Sequence, residues 1–208
     1  MTSPRRKFLR QAAVPGSLFW LPKFSFGNPK ASPFQFVLLK GGIRPCDVEA
    51  TLQRLPEGGL KQAMVKLLSF DDAEISHQTG MAYFQHLPLT ELGQIGKQAT
   101  GAYVVDGFDC AHFNASLYKQ KLGEAFAFLH EQIEGADPSV EWVICSELGR
   151  NREVNHVHEH AHLSGIDHHS PEARTTFCIQ LQSNTEVLPG NLSMRRLSHY
   201  LGRRFQLA

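Results

Sequence analysis

The chain has no apolar stretch as long as a membrane-spanning helix requires, which is about 20 residues. It also has no internal repeats, no low-complexity tract and no sign of a second folded domain. Cysteine is sparse, and Cys145 and Cys178 lie in apolar runs where a buried free thiol acts as a small hydrophobe. Neither a membrane span nor a disulfide is therefore predicted.

Acidic residues are absent from the first 30 positions, which carry six basic residues. Within them, residues 3–10 (SPRRKFLR) have the pattern of a twin-arginine export signal, a paired arginine before Phe-Leu and a further basic residue. We predict a leader over residues 1–32, the twin-arginine export machinery as a partner, and a periplasmic or exported protein. The alternative is a basic, disordered N-terminus with a chance arginine pair.

Removing the leader changes the charge of the remainder. The whole chain carries a net charge of +1, and the loss of six basic residues from positions 1–30 leaves −5. An acidic domain argues against general nucleic-acid binding. The exception is residues 194–204, where a basic face on an amphipathic helix is interpreted as solvated surface or, alternatively, as a contact for a membrane or a partner.

Strand and helix signals alternate along residues 33–208, which predicts a single α/β domain. We expect three αβα layers around a mostly parallel sheet. Strands are predicted at 34–39, 102–105, 140–145 and 175–181, and helices at 47–55, after Asn114 and from Asn191. The segment 60–70 is ambiguous between a helix and a buried strand.

Six of the eleven histidines lie within residues 156–169, after the predicted strand 140–145. Imidazole and carboxylate groups are the common ligands of zinc and similar metals, so a metal site is the first hypothesis. The alternating histidines at 156, 158, 160 and 162 fit equally well as one wet face of an extended loop. We therefore treat them as a separate and weaker metal hypothesis.

Several polar residues follow the predicted strands, and in a parallel sheet the loops after neighbouring strands meet at one edge. Two carboxylates and two imidazoles there would suit Zn, Mn or Mg. Alternatives are a helix cap for Asp109 and a packing or surface histidine for His112, whereas an acid such as Glu147 at the exit of an apolar strand is costly unless paired or ligated. The candidate metal ligands are Asp109, His112, Glu147, Asp167, His168 and His169.

These residues resemble motifs of a family. Residues 146–150 (SELGR), followed by Asn155 and by 165–169 (GIDHH), are similar to the closing motif of twin-arginine-exported bacterial proteins of unknown function within the alkaline phosphatase and sulfatase superfamily. Residues 36–42 resemble the family's first strand and Gly-Gly turn. Residues 107–112 resemble its Asp-Thr-His motif with one residue inserted. The matches run in the family's order across most of the chain.

The resemblance implies an alkaline phosphatase-like fold that binds one or two divalent metals and hydrolyses a small anionic phosphate or sulfate ester. It assigns Asp109 and His112 to one metal, Glu147 to a second or bridging metal, and His168 as the residue that completes the set. Arg150 would orient an anionic ester oxygen, since its planar guanidinium suits bidentate contact with a tetrahedral oxyanion.

The chain also departs from the family. The segment between the Gly-Gly turn and Asp109 is short, so the fold is expected to be truncated, and no Ser or Thr stands at the nucleophile position. Cys46 and Asp47 are the candidate substitutes. The alternative function is a non-catalytic exported protein of the same fold that binds metal through its histidine-rich loop. A third hypothesis, a histidine-rich metal chaperone without this fold, fails if residues 140–145 form a central parallel strand.

Overall fold

Seven strands form one mixed sheet in the computed structural model, which describes residues 32–71, 77–95, 98–108, 115–150, 174–182 and 186–207. These residues all belong to the compact unit Ala31–Ala208. The strands are β1 (Phe34–Gly42), β2 (Lys66–Ser69), β3 (Leu89–Glu91), β4 (Thr100–Val105), β5 (Glu141–Leu148), β6 (Thr175–Leu181) and β7 (Asn191–Ser193). The helices are α1 (Pro45–Leu52), α2 (His77–Ala82), α3 (Ala115–Glu134) and α4 (Met194–Arg204), with a 3-10 turn at Leu92–Gln94.

The order of the strands across the sheet is β3-β4-β1-β5-β6-β2-β7. Strands β3, β4, β1 and β5 are mutually parallel. Strand β6 runs antiparallel to both of its neighbours, and β7 is parallel to β2. The predicted α/β class with a mostly parallel sheet is therefore confirmed, with β6 as the strand that makes the sheet mixed.

Helices cover both faces of the sheet, which gives the described part of the chain three layers. Val37 and Leu39 of β1 point to the face where α1 and α3 pack. Phe36 and Leu38 point to the opposite face, which α4 covers. All four side chains are fully buried. A strand that is apolar on both faces reads as a continuous hydrophobic run, which is how β1 appears in the sequence.

Helix α3 has the apolar stripe that its spacing predicts. Side chains three and four residues apart lie on the same side of a helix, so a stripe at that spacing must be covered. The residues of the stripe are all buried against the sheet: Tyr118, Leu122, Ala125, Phe126, Leu129 and Ile133. The proposed cap of this helix, Asn114, lies outside the described residues.

Several predicted boundaries need correction. Helix α1 begins at Pro45, which is favoured in the first turn because it has no N–H to leave unpaired, and ends at Leu52. The ambiguous segment 60–70 contains the strand β2. The last helix begins at Met194 and not at Asn191, because Asn191–Ser193 pairs with β2 and the Ser193 hydroxyl accepts the N–H of Arg196 at 3.2 Å.

None of the described helices is long and apolar enough to cross a membrane. The predicted leader, residues 1–32, lies outside the described residues except for Ser32.

Candidate functional site

The carboxyl ends of β4, β1 and β5 lie side by side, as expected from the sequence. Strand β1 pairs with β4 on one side and with β5 on the other, both in parallel. The segments that follow these strands therefore begin at one edge of the sheet. We call it the carboxyl edge, and it contains Lys40, Asp106 and Glu147 among its polar residues. Lys40 and Asp106 form a surface ion pair of 3.0 Å.

A bulge at the end of β1 shapes this edge. Leu39 pairs with Ser146 and Gly42 with Leu148, so three steps along β1 match two steps along β5. A bulge leaves the backbone groups of the additional residue outside the ladder, and these groups then need other partners. Gly41 lies in the bulge with φ of +127°, a backbone conformation that glycine adopts without strain.

Two side chains of β5 bind the backbone of the bulge. The Gly41 N–H donates to both carboxylate oxygens of Glu147, at 2.8 and 2.9 Å. The Ser146 hydroxyl donates to the Gly41 carbonyl at 2.6 Å and lies 3.0 Å from the Leu148 carbonyl. Ser146 and Glu147 are fully buried and belong to the strand itself, which extends past the predicted end at Cys145. Ser146 and Glu147, which were predicted to follow the strand, therefore lie within its last residues.

Asp47 lies in the first turn of α1 and is held by two neighbouring side chains. Arg44 donates to it in bidentate fashion, from Nε at 2.7 Å and from Nη2 at 2.8 Å. This hydrogen bond raises the pKa of Arg44, so the guanidinium stays charged. The hydroxyl of Tyr118, from α3, donates to Asp47 Oδ2 at 3.0 Å. An arginine in direct contact makes Asp47 a poor ligand for a cation and a poor nucleophile.

Arg150 lies over the ring of Tyr118. Its guanidinium carbon lies 4.1 Å from the centroid of the Tyr118 ring, and its side chain is fully buried. Burial is the main reason why the pKa of Tyr118 is raised, with the charge of Asp47 second, while Arg150 opposes the shift. The phenol therefore stays protonated and acts as a donor to Asp47. Arg44, Asp47, Tyr118 and Arg150 form one connected polar cluster, which we call the tyrosine cluster.

The cysteines differ in their exposure. Cys46 is exposed on α1 and carries a free thiol. Cys145 and Cys178 are cross-strand partners in β5 and β6 and are fully buried. Burial raises the pKa of Cys178 to about 12 and that of Cys145 well above its ordinary value, so both stay protonated at neutral pH. Of these three cysteines, only Cys46 is accessible as a nucleophile.

Five of the proposed metal ligands lie outside the described residues. They are Asp109, His112, Asp167, His168 and His169, and the alternating histidines at 156, 158, 160 and 162 lie outside as well. Among the residues that the structure does describe, no group of three or more His, Cys, Asp and Glu side chains is positioned to hold a metal ion.

The described ligands can still be tested for their fit to a metal. Each Glu147 oxygen accepts the Gly41 N–H, and a buried carboxylate is a ligand type that divalent metals bind. Asp47 does not fit, because Arg44 and Tyr118 already bind it. Glu147 is therefore the described candidate that suits a divalent metal.

Tyr118 is the site residue that sequence reasoning missed. Its position in the apolar stripe of α3 predicted a core residue, and the ring is indeed buried. The hydroxyl, however, donates to Asp47 and the ring face receives Arg150. A tyrosine at the start of a helix near the carboxyl edge carries a polar tip, and that is the signal that would have revealed it.

The histidine-rich chaperone hypothesis does not survive this arrangement. Residues 141–145 lie in β5, which is flanked by β1 and β6 and is parallel to β1.

Comparisons with protein-family models, with curated proteins and with solved structures found no match for this chain.

Proposed function

We propose that the chain is an exported, metal-dependent hydrolase of phosphate or sulfate esters, a truncated relative of the alkaline phosphatase and sulfatase superfamily. The observation that carries the proposal is the fully buried Glu147 carboxylate at the end of β5, beside the bulge of β1. A buried acid at that point is costly unless it is paired or ligated, and the Gly41 N–H is one of its partners.

The chemistry of the proposal divides between Glu147 and Arg150. A divalent cation, when bound, would act as a Lewis acid that polarises the ester oxygen. Glu147 would hold it, together with Asp109, His112 and His168, and with Asp167 and His169 as further candidates. The guanidinium of Arg150, stacked on Tyr118, would orient a tetrahedral anion through two parallel N–H donors. The proposed substrate is therefore a small anionic ester.

A non-catalytic protein of the same fold is the second candidate. It is favoured because Asp47, one of the two candidate nucleophiles, is already bound by Arg44 and Tyr118. Cys46 is the other, and it is exposed on α1. In this alternative the chain is exported and binds metal through its histidine-rich loop.

The test uses the full chain and measures two quantities, bound metal and turnover of p-nitrophenyl phosphate and p-nitrophenyl sulfate with added Zn, Mn or Mg. We expect stoichiometric metal and ester turnover, with both falling more than about 100-fold in Glu147→Ala. Glu147→Gln keeps the size and one acceptor oxygen, so it separates loss of the ligand from loss of the fold. Glu124→Gln is the matched control on the exposed side of α3, where Glu124 accepts a hydrogen bond from Gln120.

The second candidate predicts a different outcome. There is no turnover with any of the three ions, and metal binding survives Glu147→Ala. Binding is instead lost when the histidines at 156, 158, 160 and 162 are replaced by alanine. A folded Glu147→Gln protein with unchanged metal content and turnover would contradict the hydrolase proposal.

A further inference from the structure

A cavity of about 540 Å³ lies at the opposite edge of the sheet, where β1, β4 and β5 begin. We call this the amino edge. The cavity is lined by residues at or just before the start of these strands and by the last turn of α3 with the loop that follows it. It shares no residue with the carboxyl edge or the tyrosine cluster. A volume of this size is in the range of cavities that hold small molecules, which is about 300 to 1,000 Å³.

Two buried polar side chains line the cavity and have hydrogen-bonding atoms without a partner. Gln35 and Trp142 are register partners on β1 and β5, and they are 3% and 2% exposed. The Gln35 amide nitrogen donates to the Gln98 carbonyl at 2.8 Å and to that of Ala99 at 3.3 Å. Within the described residues, neither Gln35 Oε1 nor Trp142 Nε1 has a hydrogen-bond partner.

An unpaired buried polar atom is costly, at about 1–3 kcal/mol each. Here an acceptor and a donor without partners belong to neighbouring side chains that line the same cavity. Both atoms are buried, so a ligand that carries one donor and one acceptor would satisfy them once the two side chains turn toward the cavity. None of the described residues forms a hydrogen bond with either atom, and these two unpaired atoms are the first indication of a ligand.

The charge of the cavity limits what that ligand can be. Glu131 and Asp137 line it, and none of its described lining residues is a lysine or an arginine. A hydrogen bond from Ser139 lowers the pKa of Asp137, which keeps that carboxylate ionised. The carboxyl end of α3 also lies here, and the helix dipole places partial negative charge at that end. The cavity therefore disfavours anions and favours cations.

We propose that this cavity binds a small organic amine that also carries an oxygen acceptor. The ammonium group would donate to Gln35 Oε1 and lie near the carboxylates of Glu131 and Asp137. The oxygen would accept the indole N–H of Trp142. The site is independent of the proposed ester hydrolysis, since the two lie at opposite edges of the sheet and are tested with different compounds.

The test uses the indole N–H resonance of Trp142 in the full chain. The sequence has two tryptophans, so Trp20→Phe leaves Trp142 as the single indole signal. Tyramine and ethanolamine are the probes, and 3-(4-hydroxyphenyl)propionate is the anionic counterpart of tyramine. We expect a saturable shift of the Trp142 indole signal with the amines and no saturable shift with the anion.

Three variants examine the contacts. The double variant Glu131→Gln with Asp137→Asn should weaken amine binding about fivefold or more, because two exposed charges near a cation are lost. Gln35→Met keeps the length of the side chain and removes the acceptor, and it should weaken binding by a similar factor. Glu124→Gln, on the same helix and outside the cavity, should bind as the parent does.

Two outcomes would overturn the proposal. One is an unshifted Trp142 signal with both amines up to about 10 mM, a concentration at which even weak specific binding is visible. The other is equal affinity of the parent and the double variant, or equal affinity for tyramine and its anionic counterpart, because charge would then play no part.

Discussion

Two pairs of polar side chains, one pair at each edge of the sheet, differ in whether their hydrogen-bonding atoms have partners. At the carboxyl edge, Glu147 accepts the N–H of Gly41, and Asp47 is bound by Arg44 and Tyr118. At the amino edge, Gln35 and Trp142 each have a buried atom without a partner among the described residues, and both line a cavity.

The same two strands, β1 and β5, supply residues to both edges. This difference in hydrogen-bond partners indicates that burial alone does not make a polar residue functional. A polar group that is buried with partners belongs to the fold, and its replacement should cost stability. A polar group that is buried without partners beside a cavity costs stability already, so its replacement should cost little and should instead change binding. Substitutions at the two edges should therefore differ in whether they change stability or binding.

The largest effect is expected at Gly80 of α2, which packs against the end of β5. A Cβ there would lie 2.2 Å from the Glu147 carbonyl oxygen, a backbone atom that cannot move aside cheaply. We expect Gly80→Ala to lower the free energy of unfolding by about 3 kcal/mol in a urea titration. Gly123→Ala in α3 is the control, because a Cβ at Gly123 meets nothing within 4 Å. It should raise stability by about 1 kcal/mol. Equal stability of the two variants would contradict this packing.

A middle effect is expected from Tyr118→Phe, which removes one donor to Asp47 while Arg44 remains bound. The loss should be about 1–2 kcal/mol at neutral pH, because the acceptor is charged.

The loss of unfolding free energy in Tyr118→Phe should depend on pH. Burial raises the pKa of Tyr118 in the folded chain above the ordinary value of 10.0, so the folded state binds the phenol proton more tightly than the unfolded state does. The stability that this contributes is complete below pH 10 and is lost as the pH rises above it. The stability gap between the parent and Tyr118→Phe should therefore narrow as the pH rises above about 10. The buried thiols titrate in both proteins and cancel in the comparison. A gap that stays constant over this range would show that Tyr118 titrates alike in the folded and unfolded chain.

The smallest effect is expected at the amino edge. Gln35→Met removes two donated hydrogen bonds to the carbonyls of Gln98 and Ala99, which are exposed residues that water can solvate. It also removes the unpaired buried Oε1. These changes oppose each other, so we expect a change in unfolding free energy below about 1 kcal/mol. A loss as large as that of Gly80→Ala would mean that Gln35 has a structural role which its contacts do not explain.

Local patterns predicted the main elements of the fold. The stripe on α3, the apolar run of β1 and the strand at 175–181 were all confirmed. The direction of β6 was not predictable, because a short apolar run is the same whether its neighbour is parallel or antiparallel. Strand β7 was missed for a related reason, since three residues acquire strand geometry only by pairing with β2.

The candidate site was predictable in part. That residues after β1, β4 and β5 meet at one edge followed from the expected parallel sheet, and the close approach of Gly41 and Glu147 agrees with it. The engagement of Asp47 by Tyr118 was not predictable, because these residues are 71 positions apart. The metal-ligand roles of Glu147, Asp109, His112, Asp167, His168 and His169 stay predictions.

Hydrophobic periodicity is a local property of the chain, so the amino-acid sequence was sufficient to show which segments are apolar on one face or two, and therefore the α/β class. It also determined that an acid stands at the end of the apolar run of β5. Three features became visible only in the tertiary structure. Glu147 binds a bulge in β1, and Asp47 binds an arginine and a tyrosine. Gln35 and Trp142 are neighbours at a cavity. These outcomes depend on the register between strands and on the approach of α1 and α3, and such long-range pairings are set by packing across the whole domain.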